Sequence, residues 1–101
     1  MRKFGALLLA AATLAPIGCA SSSAPDPVRG KQLFAQNCAI CHGPQGAGAE
    51  APALKGEATR KNAAELEAWI KKPAPPMPKL YPSPLSDKDV TDVAAYVEQL
   101  K

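Results

Sequence analysis

Apolar residues recur at helical spacing in three stretches of the chain, and between them no period is visible. In "DPVRGKQLFAQNCAICH", Asp26 to His42, the residues Val28, Leu33, Phe34 and Cys38 fall near one another on a helical surface. Asp26 suits the N-cap because its carboxylate accepts from the orphan amides of the first turn, and Pro27 has no amide to leave unbonded. In "NAAELEAWIKK", Leu66, Trp69 and Ile70 follow the same spacing. There Asn62 is the cap, Glu65 completes a capping-box pattern, and Pro73 follows the end. Ser86 caps a last helix through "DKDVTDVAAYVEQL", whose apolar stripe is Val90, Val93, Ala94, Val97 and Leu100. Asp87 and Asp89 stand in its positive first turn.

The connecting segments are of a different kind. Residues 43–58, "GPQGAGAEAPALKGEA", are rich in Gly, Pro and Ala and predict an irregular loop. "PAPPMPKLYPSP" holds six prolines and can be neither helix nor central strand. No alternating strand pattern and no internal repeat occur, so the expected fold class is all-α, with three to four short helices and long loops. Gly30 inside the first helix costs about 1 kcal/mol relative to Ala, which points to another backbone or ring packed against it.

The N-terminus reads separately. Met1-Arg2-Lys3 precedes the uncharged run "FGALLLAAATLAPI", shorter than the roughly 20 apolar residues of a membrane span and laid out as a secretory signal. "LAPIGCA" resembles a bacterial lipobox at Gly18 and Cys19, with Pro16 where that pattern usually has leucine. A lone exposed thiol is a liability in an oxidising compartment, and a lipid on Cys19 accounts for it. The expected organisation is a signal over residues 1–18, a flexible tether over 19–27 and one domain over 28–101. Residues 20–25, "ASSSAP", would span on the order of 15 Å. The expected location is the periplasmic side of a bacterial membrane, lipid-anchored, or soluble periplasm should Cys19 be unmodified.

Charge narrows the partners. Removing residues 1–18 takes away Arg2 and Lys3, and the 12 basic and 9 acidic residues become ten and nine. No dense basic patch is interleaved with aromatics, so nucleic acid is not an expected partner. Lys55, Arg60, Lys61, Lys71, Lys72 and Lys79 lie between residues 55 and 79, whereas Asp87, Asp89 and Asp92 begin the last helix. That asymmetry either steers an acidic partner to one face or is a plain solvated surface.

The chemistry concentrates in "NCAICHG", which holds two of the three cysteines and the single histidine. A thioredoxin-like dithiol needs a βαβ context that the chain lacks. A structural zinc site needs about four protein ligands, and adjacent Cys41 and His42 are awkward partners in one. Covalent haem attachment asks for this spacing: Cys38 and Cys41 lie one helical turn apart to hold two edges of a porphyrin, and His42 follows to face the iron. A haem also adds apolar surface that about 80 mature residues, with five aromatics at most, otherwise lack. The sixth ligand follows by elimination. No second histidine exists, and Met77 in "PPMPKL" is the only methionine besides Met1. Gap-filling is the ordinary role of a methionine, but rigid prolines on both sides favour a held thioether. Lys79 is a secondary candidate for the same position at high pH.

With these residues in place the mature chain resembles a small monohaem class I cytochrome c of bacteria, in a lipoprotein form. The resemblance runs from Val28 to Leu100 through "GKQLFAQNCAICHG", "APALKG", "PMP" and "LSDKDVTDVAAYVEQL". It implies a cytochrome c fold around one covalently bound haem c, whose first and last helices cross at Gly30 and Tyr96. It implies that the carbonyl of Pro52 accepts the proton of the other His42 ring nitrogen. It places Trp69 either on a haem propionate or in ordinary core packing. The implied function is one-electron transfer between redox protein partners by a monomer that is not an enzyme. The rival is a gas or ligand sensor with a labile sixth position, which needs Met77 off the iron.

Overall fold

Capping side chains start each of the longer helices. In the computed structural model, which describes Gly5 and residues 24–101, the Asp26 carboxylate accepts from the amides of Val28 at 3.1 Å and Arg29 at 3.0 Å. Helix α1 follows as Pro27–Asn37, and the single turn α2 as Ala39–His42. Helix α3, Ala63–Lys71, starts where the Asn62 side chain accepts from the Glu65 amide at 2.9 Å. Helix α4, Asp87–Glu98, starts at a reciprocal box: Ser86 Oγ accepts from the Asp89 amide at 3.2 Å, and the Asp89 carboxylate from the Ser86 amide at 2.9 Å. Single 3-10 turns occur at Pro44–Gly46 and Glu57–Thr59. Among the described residues there is no strand, and the fold is all-α. The expected signal, Pro16 and Cys19 lie outside the described residues, Gly5 apart.

Three local expectations change. The capping box is complete at Ser86 and Asp89 rather than at Asn62 and Glu65, because Asp89 is buried and fixed by Arg29 while Glu65 is exposed. The first helix does not run unbroken through the cysteines. Cys38, at φ −119°, ψ −34°, still donates to the Phe34 carbonyl at 2.8 Å, and then caps a new turn. Val28 is 73% exposed, since the buried face of α1 is set by Gly30 and Phe34, one turn apart.

That buried face packs on α4 with almost no separation. A Cβ on Gly30 would stand 1.9 Å from the Asp92 carbonyl oxygen and 3.1 Å from Tyr96 Cβ. One turn on, Phe34 meets Tyr96 edge to face, with ring centroids 5.3 Å apart and planes at 61°, worth about 0.5–1.5 kcal/mol beyond the buried area. Phe34, Leu66, Val93, Ala94, Tyr96, Val97 and Leu100 form the core, with Leu33, Cys38, Ala39, Leu54 and Ile70 packed against it. The whole stripe read from the last helix is therefore buried.

The helix pair also encloses a carboxylate. Asp92 has no exposed surface. Its Oδ1 accepts from the Asp26 amide at 2.9 Å and Lys88 Nζ at 2.6 Å, and its Oδ2 from Arg29 Nη1 at 2.8 Å. Burial pushes this carboxyl up, but the bonds from Lys88, Arg29 and the Asp26 amide outweigh it and hold it below the usual range. Asp89 is also held low, chiefly by the Ser86 amide and then by Arg29. These acids, which the sequence offered as free surface charge, are neutralised inside the fold.

Two outcomes follow from this packing. Gly30→Ala gains about 1 kcal/mol of helix propensity but forces the backbones apart, at an overpacking cost of about 3 kcal/mol. Guanidinium unfolding of the haem-loaded protein should show a net loss of about 2 kcal/mol, and an unchanged midpoint would refute the contact. The second outcome concerns acid. The folded carboxyls of Asp92 and Asp89 lie below their unfolded values. Their contribution is thus complete above about pH 4 and is lost as pH falls through the folded values. The melting temperature should stay level from neutral pH to about 5 and drop below 4. Asp92→Asn should lower the neutral value and flatten the acid decline; an equally steep decline in both proteins would count against the carboxylate.

Candidate haem-binding site

The cysteine motif is held by backbone bonds on both sides. The amides of Cys41 and His42 both donate to the Cys38 carbonyl, at 3.2 and 3.0 Å, so the two cysteines sit one turn apart. The chain then reverses at Gly43, whose φ of +79° favours glycine and whose added Cβ would lie 2.7 Å from the Gly48 carbonyl oxygen. The reversal is fixed by Gly48 N–H donating to the His42 carbonyl at 2.7 Å and Ala51 N–H to the Cys41 carbonyl at 2.8 Å. Those bonds bring Pro52 back beside the motif, with its carbonyl 2.9 Å from His42 Nδ1. A carbonyl only accepts, so Nδ1 carries the proton of this bond, and in the neutral imidazole Nε2 then keeps its lone pair.

Beside the motif lies a cavity of about 670 Å³, within the roughly 300–1,000 Å³ of cofactor and ligand pockets. Phe34 of α1, Leu66 and Ile70 of α3, and Val93 and Val97 of α4 give it apolar walls. Cys38, Cys41, His42, Pro52, Trp69 and Met77 all line it, so residues spread over forty positions of sequence meet around one space. Trp69, expected on the apolar stripe of its helix, is 47% exposed on this wall, and Ile40 of the motif is 83% exposed at the same cavity. Two sulfurs and an imidazole on one side, a thioether on another loop and apolar faces between them fit a flat apolar macrocycle that carries a metal.

One part of the wall escaped the sequence reading. Glu57, Arg60 and Lys61 line the cavity together. Lys61 donates to Glu57 at 2.6 Å and Arg60 to its other oxygen, which holds the Glu57 carboxyl below the usual range. The spacing of three and four residues marks these pairs in the sequence, but nothing in it shows that they border the cavity. Arg60 and Lys61 are therefore engaged, as is Lys71, which pairs with Asp87 at 2.8 Å. Among the described residues, Lys55, Lys72 and Lys79 make no ion pair.

The thiol chemistry separates the readings of the motif. Burial pushes the Cys38 thiol up to about 11, and the neighbouring Cys41 adds to the shift. A redox dithiol works through a thiol shifted the other way. Among the described residues no three of His, Cys, Asp and Glu gather to hold a bare metal ion, whereas a structural zinc site takes four ligands.

Comparison with known proteins agrees with the cavity. The family described as "Cytochrome C oxidase, cbb3-type, subunit III" matches residues 25–97. A protein of Synechocystis sp. named "Cytochrome c-553-like" is 33% identical over 76 residues, which cover 74% of this chain and 70% of that protein. "Cytochrome c-550" of Bacillus subtilis is 33% identical over 72 residues, 70% of this chain and 57% of the relative.

Proposed function

Because the chain belongs to the cytochrome c family, as a small bacterial class I member with covalently bound c-type haem that serves as an electron carrier, we propose that Cys38 and Cys41 hold that haem and that His42 and Met77 are its axial ligands. The observation that carries this is the convergence of all four side chains on one apolar cavity. When bound, the haem supplies an iron that cycles between the ferrous and ferric states.

The chain's own residues set how that iron behaves. The Pro52 carbonyl, accepting from His42 Nδ1 at 2.9 Å, fixes the ring orientation and makes Nε2 a stronger donor. A Met77 thioether on the iron would favour the ferrous form and so raise the potential above that of a bis-histidine site. Were His42 and Met77 both to hold the iron, no place would remain on it for a substrate, so the reading is a carrier rather than an enzyme. Trp69 offers an indole N–H at the half-exposed wall, beside the space where Arg60 and Lys61 also stand, and is the proposed donor to a haem propionate. The electron donor and acceptor are redox proteins.

The proposed setting comes from the N-terminal pattern. Arg2 and Lys3, the apolar run and Gly18-Cys19 support export to the periplasmic side, with a lipid on Cys19 and a short tether to a monomeric domain. Among the described residues no helix is long and apolar enough to cross a membrane. The proposed anchor is the lipid on Cys19.

Ligation is tested by Met77→Ala. The variant should lose the thioether–ferric charge-transfer band, lower the midpoint potential, and bind CO in the ferrous state. A wild-type protein that itself lacks the band and binds CO at neutral pH would favour the sensor reading instead. The anchor is tested by intact mass after maturation in a haem-attaching host. One haem and a diacylglyceryl group on a chain starting at Cys19 is the expected species, and a chain starting beyond Cys19 would exclude the anchor.

A further inference from the structure

The loop that carries Met77 has few ways to be held. Six of the residues from Pro73 to Pro84 are prolines, which donate no backbone hydrogen bond. Its own amide bonds are local, Met77 N–H to the Ala74 carbonyl at 3.1 Å, and the amide of buried Leu85 donates back to Leu80 at 2.9 Å. Attachment to the rest of the domain therefore falls to side chains.

Three side chains meet at the foot of this loop. Lys71 closes α3, six residues before Met77, and Tyr81 follows four residues after it. Lys71 Nζ lies 4.9 Å from the centre of the Tyr81 ring, so the two ends of the loop touch each other through a cation–π contact. Both also bond the same oxygen of Asp87, the first residue of α4: the Tyr81 hydroxyl donates to Oδ1 at 2.9 Å and Lys71 Nζ at 2.8 Å. One carboxylate thus ties α3, the loop and α4 together. Neither core packing nor the haem-attachment motif involves these groups, and Asp87 is 75% exposed.

We propose that Lys71, Tyr81 and Asp87 form a latch that keeps the Met77 loop closed over the cavity, acting as positioning residues for the sixth ligand. Pinning Lys71 to Tyr81 confines the motion of Met77 to residues 72–80. With the latch undone, the free segment extends to the buried anchor at Leu85, and a longer segment opens more easily. The effect is that of one exposed ion pair and one hydrogen bond, so it tunes the occupancy of the ligand position rather than the survival of the fold. The inference rests on the reading of Met77 as an axial ligand.

Imidazole competing for the iron of the ferric, haem-loaded protein measures loop opening directly. Lys71→Met, Tyr81→Phe and Asp87→Asn should each raise imidazole affinity about three- to tenfold at neutral pH, with Met77→Ala higher still. The Lys71→Met, Asp87→Asn double variant should fall short of the combined effect of the two single changes, because both remove the shared Lys71–Asp87 pair while each also touches Tyr81 on its own. Raising salt to roughly 1 M, where screening acts within about 3 Å, should lift the wild type toward Lys71→Met and leave that variant in place. Variants that melt earlier but bind imidazole as the wild type does would show a purely structural contact and overturn the latch. A wild type without the thioether band, bound by imidazole as tightly as Met77→Ala, would instead overturn the ligand assignment, and the latch with it.

Discussion

The contact between the backbones of α1 and α4 at Gly30 is the constraint on which the remaining geometry depends. Only a residue without a side chain lets the Asp92 carbonyl approach so closely, since a Cβ would stand 1.9 Å away. That approach sets the depth at which Phe34 meets Tyr96, and it folds Asp92 under the start of α1, where Arg29 and the Asp26 amide reach it. Phe34 in turn receives the amide of Cys38. The place where the cysteine motif begins is thereby fixed by a helix crossing two turns earlier.

From that crossing the domain builds outward around a space rather than around a filled centre. Helix α4 is buried along most of its length, against α1 on one side and α3 on the other. Phe34, Leu66, Val93 and Val97 belong both to the packed core and to the cavity wall. An apolar group in the cavity therefore completes the same core that holds the helices together, and cofactor binding and folding draw on the same side chains.

Much of this was legible in the chain, and the exceptions have physical causes. The caps at Asp26, Asn62 and Ser86, the stripe of α4 and the close approach at Gly30 are local or nearly local features, and the sequence carries them openly. Long-range pairing is not of that kind. Asp89 and Asp92 read as free charge on an amphipathic helix until Arg29, some sixty residues earlier, is placed beside them. The wall formed by Glu57, Arg60 and Lys61 was hidden for a similar reason: helical spacing reveals the pairs but not the direction they face. Val28 and Trp69 fit their apolar patterns and yet stand largely or half exposed, because a period gives a face and not its extent.

The two walls that flank the cavity are fastened by different means. Residues 43–56 are knit by amide-to-carbonyl bonds, from Gly48 to His42, Ala51 to Cys41, Leu54 to Gly46 and Gly56 to Leu100. Such bonds survive most changes of side chain, provided the glycines at 43, 46, 48 and 56, all at positive φ, are kept. The proline-rich segment across the cavity depends on the identity of a few side chains, each removable by one nucleotide change or two. Replacing side chains away from those glycines should leave the first wall its shape, whereas a few replacements in the second should alter it. Tolerance to side-chain replacement is thereby uneven, greater on one side of the cavity than on the other.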